Sequence, residues 1–295
     1  METLESLRRH LEGAEDLQSV VKTMKAIAAV NIRQYEEAAD ALQEYSETLS
    51  MGFQVLMKQE ANLPEALRIK DSKGLGAMIF GSEMGMVGRF NEEIVEYALD
   101  KIGGGGNGIP FLMVTGYKVA SLLSAEKMDV QATISQPGSV DGIGSATEEV
   151  ILELYDWWRD NRLATIYLFY NRRVSGASYE PSQMKLLPLD IDWLNQLKRR
   201  DWESGSLPQI TADWRKVFQG FLRQYFYVSI YRAFAESLAS ENASRLASMQ
   251  AAEKNIEEQL QELNTRYNQR RQDSVTSELL DIASGFEALE GEDTE

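Results

Sequence analysis

The chain has 295 residues, 43% of them hydrophobic, and carries 46 acidic against 30 basic side chains for a net charge of −16. A surface this acidic repels phosphate backbones and anionic lipid, which argues against nucleic acid and direct membrane-surface binding. There is no cysteine, so disulfides, thiolate metal sites and cysteine nucleophiles are excluded.

Helix breakers are concentrated in the middle of the chain, and before Pro64 the only glycines are Gly13 and Gly52. All six prolines lie between Pro64 and Pro208, and no glycine occurs from Phe221 to Ser284. Proline costs a helix about 3 kcal/mol and glycine about 1, so one extended helix is expected at each end, over 1–60 and 211–288. At about 1.5 Å per residue the second could reach on the order of 100 Å, the dimension of a shaft. The opening METLESLRRHLEG is amphipathic, with Thr3 and Ser6 placed for capping, and is not read as a signal peptide. No run approaches the roughly 18 apolar residues that cross a membrane, so no direct membrane insertion is expected.

The first helix carries a heptad row of Leu7, Ala14, Val21, Ala28, Tyr35, Leu42 and Leu49. A companion row of Leu4, Leu11, Gln18, Lys25, Ile32, Ala39 and Ser46 is broken by polar residues. A seven-residue repeat is the signature of a left-handed coiled coil. The middle, 74–200, alternates expected strands at Leu75–Phe80, Phe111–Thr115, Val130–Ile134 and Thr165–Tyr170 with expected helices at Asn91–Ile102, Tyr117–Lys127 and Ser145–Arg162. That order implies βαβ units and a mostly parallel sheet, with Met184–Leu187 as an edge strand. The last helix carries an apolar stripe through Val217, Phe221, Val228, Phe234, Leu238, Leu246, Met249, Ile256, Leu260, Leu263 and Tyr267 to Val275, Leu279, Ile282 and Phe286. Asn242 and Glu253 interrupt it, as residues that set register do. Residues 289–295 form an acidic tail. The second helix exceeds the first by about twenty residues, so part of it needs a partner beyond an antiparallel pairing.

No constellation for chemistry emerges. The turn Gly81-Ser-Glu-Met-Gly85-Met-Val-Gly88 follows an expected strand and precedes an expected helix, as a phosphate cradle would. Its spacing fits neither dinucleotide nor P-loop fingerprints, and no lysine follows, so it reads as a tight structural turn. His10 has no ligand spacing around it, Ser175 and Ser178 have no histidine near them in sequence and none elsewhere except His10, and Glu257, Glu258 and Glu262 read as a solvated helix face. No catalytic residue, cofactor or metal is expected.

Two blocks carry a family resemblance. Lys22-Thr-Met24-Lys25-Ala-Ile-Ala-Ala-Val-Asn-Ile-Arg33 resembles the TKAMKMVAAxKLRR helix of the γ subunit of F-type ATP synthases. Leu238-Ala-Ser-Glu241-Asn242-Ala-Ser-Arg245-Leu-Ala-Ser-Met249, with Tyr267-Asn268-x-x-Arg271-Gln272 and Thr276-x-Glu278-Leu-Leu-x-Ile-x-Ser-Gly285, is similar to that family's long C-terminal helix. Tyr170-Asn171 and Leu186-Leu187-Pro188-Leu189 match loosely. The family's SDRGLCGG turn stands here as Ser82-Glu-Met-Gly85-Met-Val-Gly88-Arg89, without its Asp, Arg and Cys. The basic surplus of the C-terminal helix is missing too. These departures point to a divergent γ, of the kind found in the alternate F-type ATPase that some bacteria and archaea carry.

The resemblance implies an α/β fold with long terminal helices, which form an antiparallel coiled coil carrying a Rossmann-like domain. It implies a non-catalytic rotor shaft that couples ion-driven rotation of the c-ring to ATP synthesis or hydrolysis. The partners implied are three α and three β subunits, ε and the membrane c-ring, and the location is peripheral, at the cytoplasmic face of the cell membrane. By position in the family motifs, Met24, Lys25, Arg245, Arg271, Gln272, Thr276 and Glu278 would make rotor–stator contacts, and Phe286 and Leu289 the bearing at the tip. Lys70, Asp71 and loops near the strand ends are candidates to face ε or the c-ring. A coiled-coil adaptor with an α/β head is the alternative that the same periodicity allows.

Overall fold

The computed structural model describes residues 3–59, 74–103, 110–161, 163–175, 178–202 and 204–292, with side chains left out at 158–161, Ser175 and 285–292. In chain order the elements are α1 (Leu4–Gln59), β1 (Gly74–Phe80), α2 (Phe90–Gly103), β2 (Phe111–Thr115), α3 (Tyr117–Ala125), β3 (Val130–Ile134), α4 (Val140–Asn161), β4 (Leu163–Ser175), β5 (Ser178–Leu187), α5 (Ile191–Arg199) and α6 (Trp214–Glu292). Helix α1 has 56 residues and α6 has 79. Thr3 caps α1, its Oγ1 accepting from the Ser6 N–H at 3.2 Å. Lys70 and Asp71 lie outside the described residues.

The chain divides into two compact units, Met1–Ile27 with Ala247–Glu295, and Ala28–Leu246. In the first unit α1 and α6 pair antiparallel. Moving from Arg8 to Lys25 on α1, the neighbour on α6 recedes from Tyr267 to Glu253: Arg8 is raised in pKa first by its bond to Glu12 and further by Tyr267, and Lys25 is ion-paired with Glu253. The seam follows the heptad: Leu7, Leu11, Ala14 and Val21 are buried, as is Met249, and Ile256, Leu260, Leu263 and Tyr267 are half-buried. Past Tyr267 the stripe continues in sequence but is bare. Val275, Leu279 and Ile282, on the part of the stripe expected to need another partner, are 49%, 62% and 57% exposed. Pairing has ended because α1 begins at Leu4, roughly opposite position 271 by the same register.

The second unit is built on a five-stranded sheet of order β3-β2-β1-β4-β5. Strands β1 to β4 are parallel, and β5 returns antiparallel to β4. Alternation of side chains along β1 supplies both faces. Leu75, Ala77 and Ile79 pack on α2 and α3 through Ile94, Val95, Ala98, Val119 and Leu123. Met78 and Phe80 face the opposite layer, where α4 (Ile143, Val150, Leu154) and α6 (Ile230, Phe234, Leu238) cover the sheet. Burial on both faces is the rule for parallel strands. A third cluster joins Leu49, Phe53, Leu56 and Met57 of α1 to Leu194 and Leu197 of α5 and Phe218 of α6, with Phe53 edge-on to Trp193 at 5.6 Å between centroids.

Three element boundaries differ from expectation by five residues or more. Helix α4 begins at Val140 rather than Ser145, carrying Gly142 and Gly144 inside it. A β-carbon at Gly144 would stand 3.2 Å from the Tyr227 hydroxyl, so the missing side chain lets α4 approach α6 closely. Strand β4 runs to Ser175, and β5 starts at Ser178 and includes Pro181, paired with Asn171. Proline, which has no N–H, is tolerated because β5 is an edge strand.

Candidate functional site

The residues singled out from the sequence fall into three environments. Met24 and Lys25 are half-buried on the paired part of α1, the lysine held by Glu253. Arg271, Gln272, Thr276 and Glu278 are exposed on the unpaired end of α6, where the Thr276 hydroxyl donates back to the Gln272 carbonyl at 2.9 Å. Arg245 is buried and bonds to Glu241, one turn earlier, at 2.5 Å. Phe286 and Leu289 lie on the helix, but their side chains are outside the described residues. The structure thus gathers Arg271, Gln272, Thr276 and Glu278 on one stretch and places Arg245 in the other unit.

Exposed apolar side chains mark both helices of the first unit. On α1, Leu17, Val20 and Ile27 point to solvent, at a spacing that sets them on one face with Met24. On α6, Val275, Leu279, Leu280 and Ile282 do the same on the unpaired end, which extends from about 271 to Glu292 and spans roughly 30 Å at helical rise.

In the second unit the glycine-rich turn after β1 is a structural junction. A phosphate cradle works through free backbone N–H groups, and here the first three of the turn are taken. The Gly81 N–H donates to the Thr115 carbonyl and to its Oγ1, both at 3.1 Å. The Ser82 N–H donates to Asn91 Oδ1 at 2.9 Å, and the Glu83 N–H to Gln136 Oε1 at 2.7 Å. Asn91 returns a bond to Ser82 Oγ at 2.8 Å. Gly116, at φ +80°, completes the junction: a β-carbon there would stand 2.4 Å from the Ser82 carbonyl oxygen, so both the backbone and the space require glycine.

Open parallel sheets bind ligands at the carboxyl ends of the strands where the strand order reverses. Here that place, flanking β1 and β4, is filled by α6. The Ser240 hydroxyl donates to the Asn171 carbonyl at 3.0 Å, and the Ser244 hydroxyl to the Val87 carbonyl at 2.5 Å. Gln136 Nε2 donates to Glu241. Burial raises the Glu241 carboxyl above its ordinary range, while Arg245 pulls it back. Gln136, Ser240 and Ser244 were not legible as functional in the sequence. Their signal was the polar run Ser240-Glu-Asn242 and Ser244-Arg245 inside a helix that is otherwise alanine and leucine, too polar for a seam unless each side chain is bonded. Ser82, kept from the family turn, proves to be bonded to Asn91 at the start of α2.

Among the described residues no helix is long and apolar enough to cross a membrane, and no cluster of His, Cys, Asp or Glu is arranged to hold a metal ion. A family model described as ATP synthase matches residues 3–289. A chain in the cryo-EM structure of Euglena gracilis mitochondrial ATP synthase (OSCP/F1/c-ring, rotational state 3) shares the fold at a TM-score of 0.68 and 20% identity, over 99% of this chain and 96% of that one. A chain of the rotor of the same organism's enzyme in rotational state 1 matches at 0.62 and 18% identity, over 92% and 98%. A chain from the central stalk and c-ring of the Tetrahymena thermophila mitochondrial ATP synthase matches at 0.57 and 19% identity, over 79% and 99%.

Proposed function

The chain belongs to the γ-subunit family of F-type ATP synthases and is a central rotor shaft, and from that premise we propose how it works. Its terminal helices stand within a hexamer of three α and three β subunits, which carry out the ATP chemistry. Its α/β domain meets ε and the c-ring at the cytoplasmic face of the cell membrane. The chain itself turns over no substrate. Ion-driven rotation of the c-ring turns the shaft, and the shaft forces the catalytic sites through successive affinities.

The observation that carries this reading is the unequal length of the two helices. Helix α6 runs past the start of α1 and presents Val275, Leu279, Leu280 and Ile282 about half or more exposed. Isolated, such a face is a liability; within a closed ring it becomes a bearing surface. Arg271, Gln272, Thr276 and Glu278 are the polar contacts on the same stretch, with Phe286 and Leu289 beyond them at the tip. Exposed polar pairs of this kind contribute only about 0–1 kcal/mol each, so they time rotation while helix stiffness carries load. Filling of the ligand crevice by α6 supports the non-catalytic role.

The test uses the assembled membrane enzyme. Met24→Lys places a charge on the apolar α1 face beside Leu17, Val20 and Ile27, where a thioether would otherwise slide without trapping charge. ATP-driven ion transport in vesicles should fall more than ATP hydrolysis by the detached α–β–γ complex. Equal transport in the variant would remove Met24 from the contact. Failure of this chain to co-purify with α and β would overturn the whole reading.

A further inference from the structure

A rotor must turn as one body, so load passing between the α/β domain and α6 needs a joint that resists twist. The apolar layer under α6 is poorly suited to that. Burial of apolar surface is non-directional, and the buried stretch of α6 is rich in small residues: Ser229, Ala233, Ala235, Ser237, Ala239, Ser240, Ala243 and Ser244. Small side chains leave shallow ridges, and ridges are what fix the setting of one element on another.

The directional contacts lie at one level. Three bonds reach α6 from three separate segments at the strand ends: Asn171 of β4, Val87 of the glycine-rich turn, and Gln136 just after β3. Gln136 is the bridge among them. Its Oε1 accepts from the Glu83 N–H at 2.7 Å, its own N–H donates to Glu83 Oε2 at 3.3 Å, and its Nε2 donates to Glu241. Glu241 is 3% exposed and bonded to Arg245. Arg245 reaches Asn242 Oδ1 at 3.4 Å, and that oxygen also accepts from Asn31 of α1 at 3.5 Å. An unbroken polar chain therefore runs from the turn through α6 to α1. A second tie, Arg173 of β4 to Glu36 of α1, lies beside it. Burying a carboxylate in a helix otherwise lined by alanine and serine costs desolvation, and the best-attested return on such groups is register.

We propose that Gln136 is a positioning residue: with Glu83 and Glu241 it keys the α/β domain to α6, so that torque passes between them without slip. This rests on the rotor reading above. The key predicts load-dependent failure. Without it the apolar layer still holds the helix in place, but an opposing gradient can twist the joint.

The experiment compares the complete membrane enzyme carrying wild-type chain, Gln136→Leu and Gln136→Lys. Ions moved per ATP hydrolysed are measured against increasing opposing ion gradients. Gln136 is half-exposed and lies outside every helix and strand, so the variants are expected to fold; if Gln136→Leu does not assemble, Gln136→Ser, which removes the reach without adding apolar surface, makes the same comparison. With Leu the ratio should match wild type at low gradient and fall roughly twofold or more at high gradient, the scale on which single residues alter a coupling network. ATP hydrolysis by the detached complex should be unchanged. With Lys, which restores a donor to Glu241, the ratio should recover. A merely structural role would lower the yield of complex but leave the load dependence alone. A ratio equal to wild type at every gradient in the Leu or Ser variant overturns the key, whereas a wild-type chain that supports no pumping overturns the rotor reading instead.

Discussion

One helix, α6, lives in two opposite environments. Between Val228 and Arg245 nearly every side chain is buried, Glu241 and Arg245 included, with Ser240 tied to the sheet, Ser244 to the turn, and Arg245 to its neighbour Glu241 on the helix. Between Arg271 and Ser284 nearly every side chain is exposed, leucines and isoleucines included. Helical propensity does not separate the two stretches; the surroundings do. The first is stabilised by tertiary packing, whereas the second gains little from its own unit. A free end that keeps its shape while offering apolar side chains is suited to meet another surface.

The largest expected effect tests the buried stretch. Phe234→Ala removes a ring that stands 4.8 Å from Phe80, centroid to centroid, at 1% exposure, and should cost about 3–5 kcal/mol. Leu279→Ala, on the free stretch, should stay within about 0.5 kcal/mol. Urea unfolding of the isolated subunit measures both, and comparable losses would erase the distinction.

A pH series probes the same buried layer. Burial first, and Glu236 second, push the Tyr170 hydroxyl up to about 12 from an ordinary 10.0, with Arg232 and Arg172 opposing. The folded chain therefore holds a proton that the unfolded chain releases near pH 10, and unfolding is favoured progressively from there toward pH 12. Up to about 3 kcal/mol of stability is lost over that window. In Tyr170→Phe the fall should be shallower, as read from melting temperatures across the alkaline range; an identical slope would show that Tyr170 does not contribute.

At the junction that meets α6, Gly116→Ala forces a side chain into φ +80° and against the Ser82 carbonyl. A loss of about 1–3 kcal/mol is expected, and hydrogen exchange should quicken at Gly81 and Ser82. Smallest of all is the Lys25–Glu253 pair in the other unit. A double-mutant cycle should give a coupling of about 0–1 kcal/mol, and a clearly larger value would mean that register of the helix pair depends on it.

Much of the architecture was legible because periodicity and breakers report backbone geometry directly. The row Leu7, Ala14, Val21 and Ala28 is buried as its spacing requires, and the strands at Phe111–Thr115 and Val130–Ile134 stand at their expected bounds. What failed depended on neighbours far along the chain. Gly142 and Gly144 fell outside the expected helix, since the sequence does not show Tyr227 beside Gly144. Ser178–Gln183 did not read as strand because an edge strand needs only one bonded side, which frees it to carry Pro181. The apolar stripe through Val275, Leu279 and Ile282 was visible, but periodicity cannot tell a covered face from an open one. At the site, the family motif brought Arg245, Arg271 and Gln272 to notice through their place in the chain, yet gave no sign that Arg245 turns inward. Gln136 drew no notice at all, since a glutamine after a short strand has no pattern; its importance comes from Glu83 and Glu241, 53 and 105 residues away.

The filled crevice at the strand ends has a consequence for chemical intervention. A small molecule seeking that cleft would compete with a covalently tethered occupant whose effective concentration is set by the protein itself. Wedging it in would mean prising Ser240 and Ser244 away from their carbonyls. A compound able to do so would act as a clutch: it would leave the ATP-hydrolysing subunits untouched while disconnecting the drive.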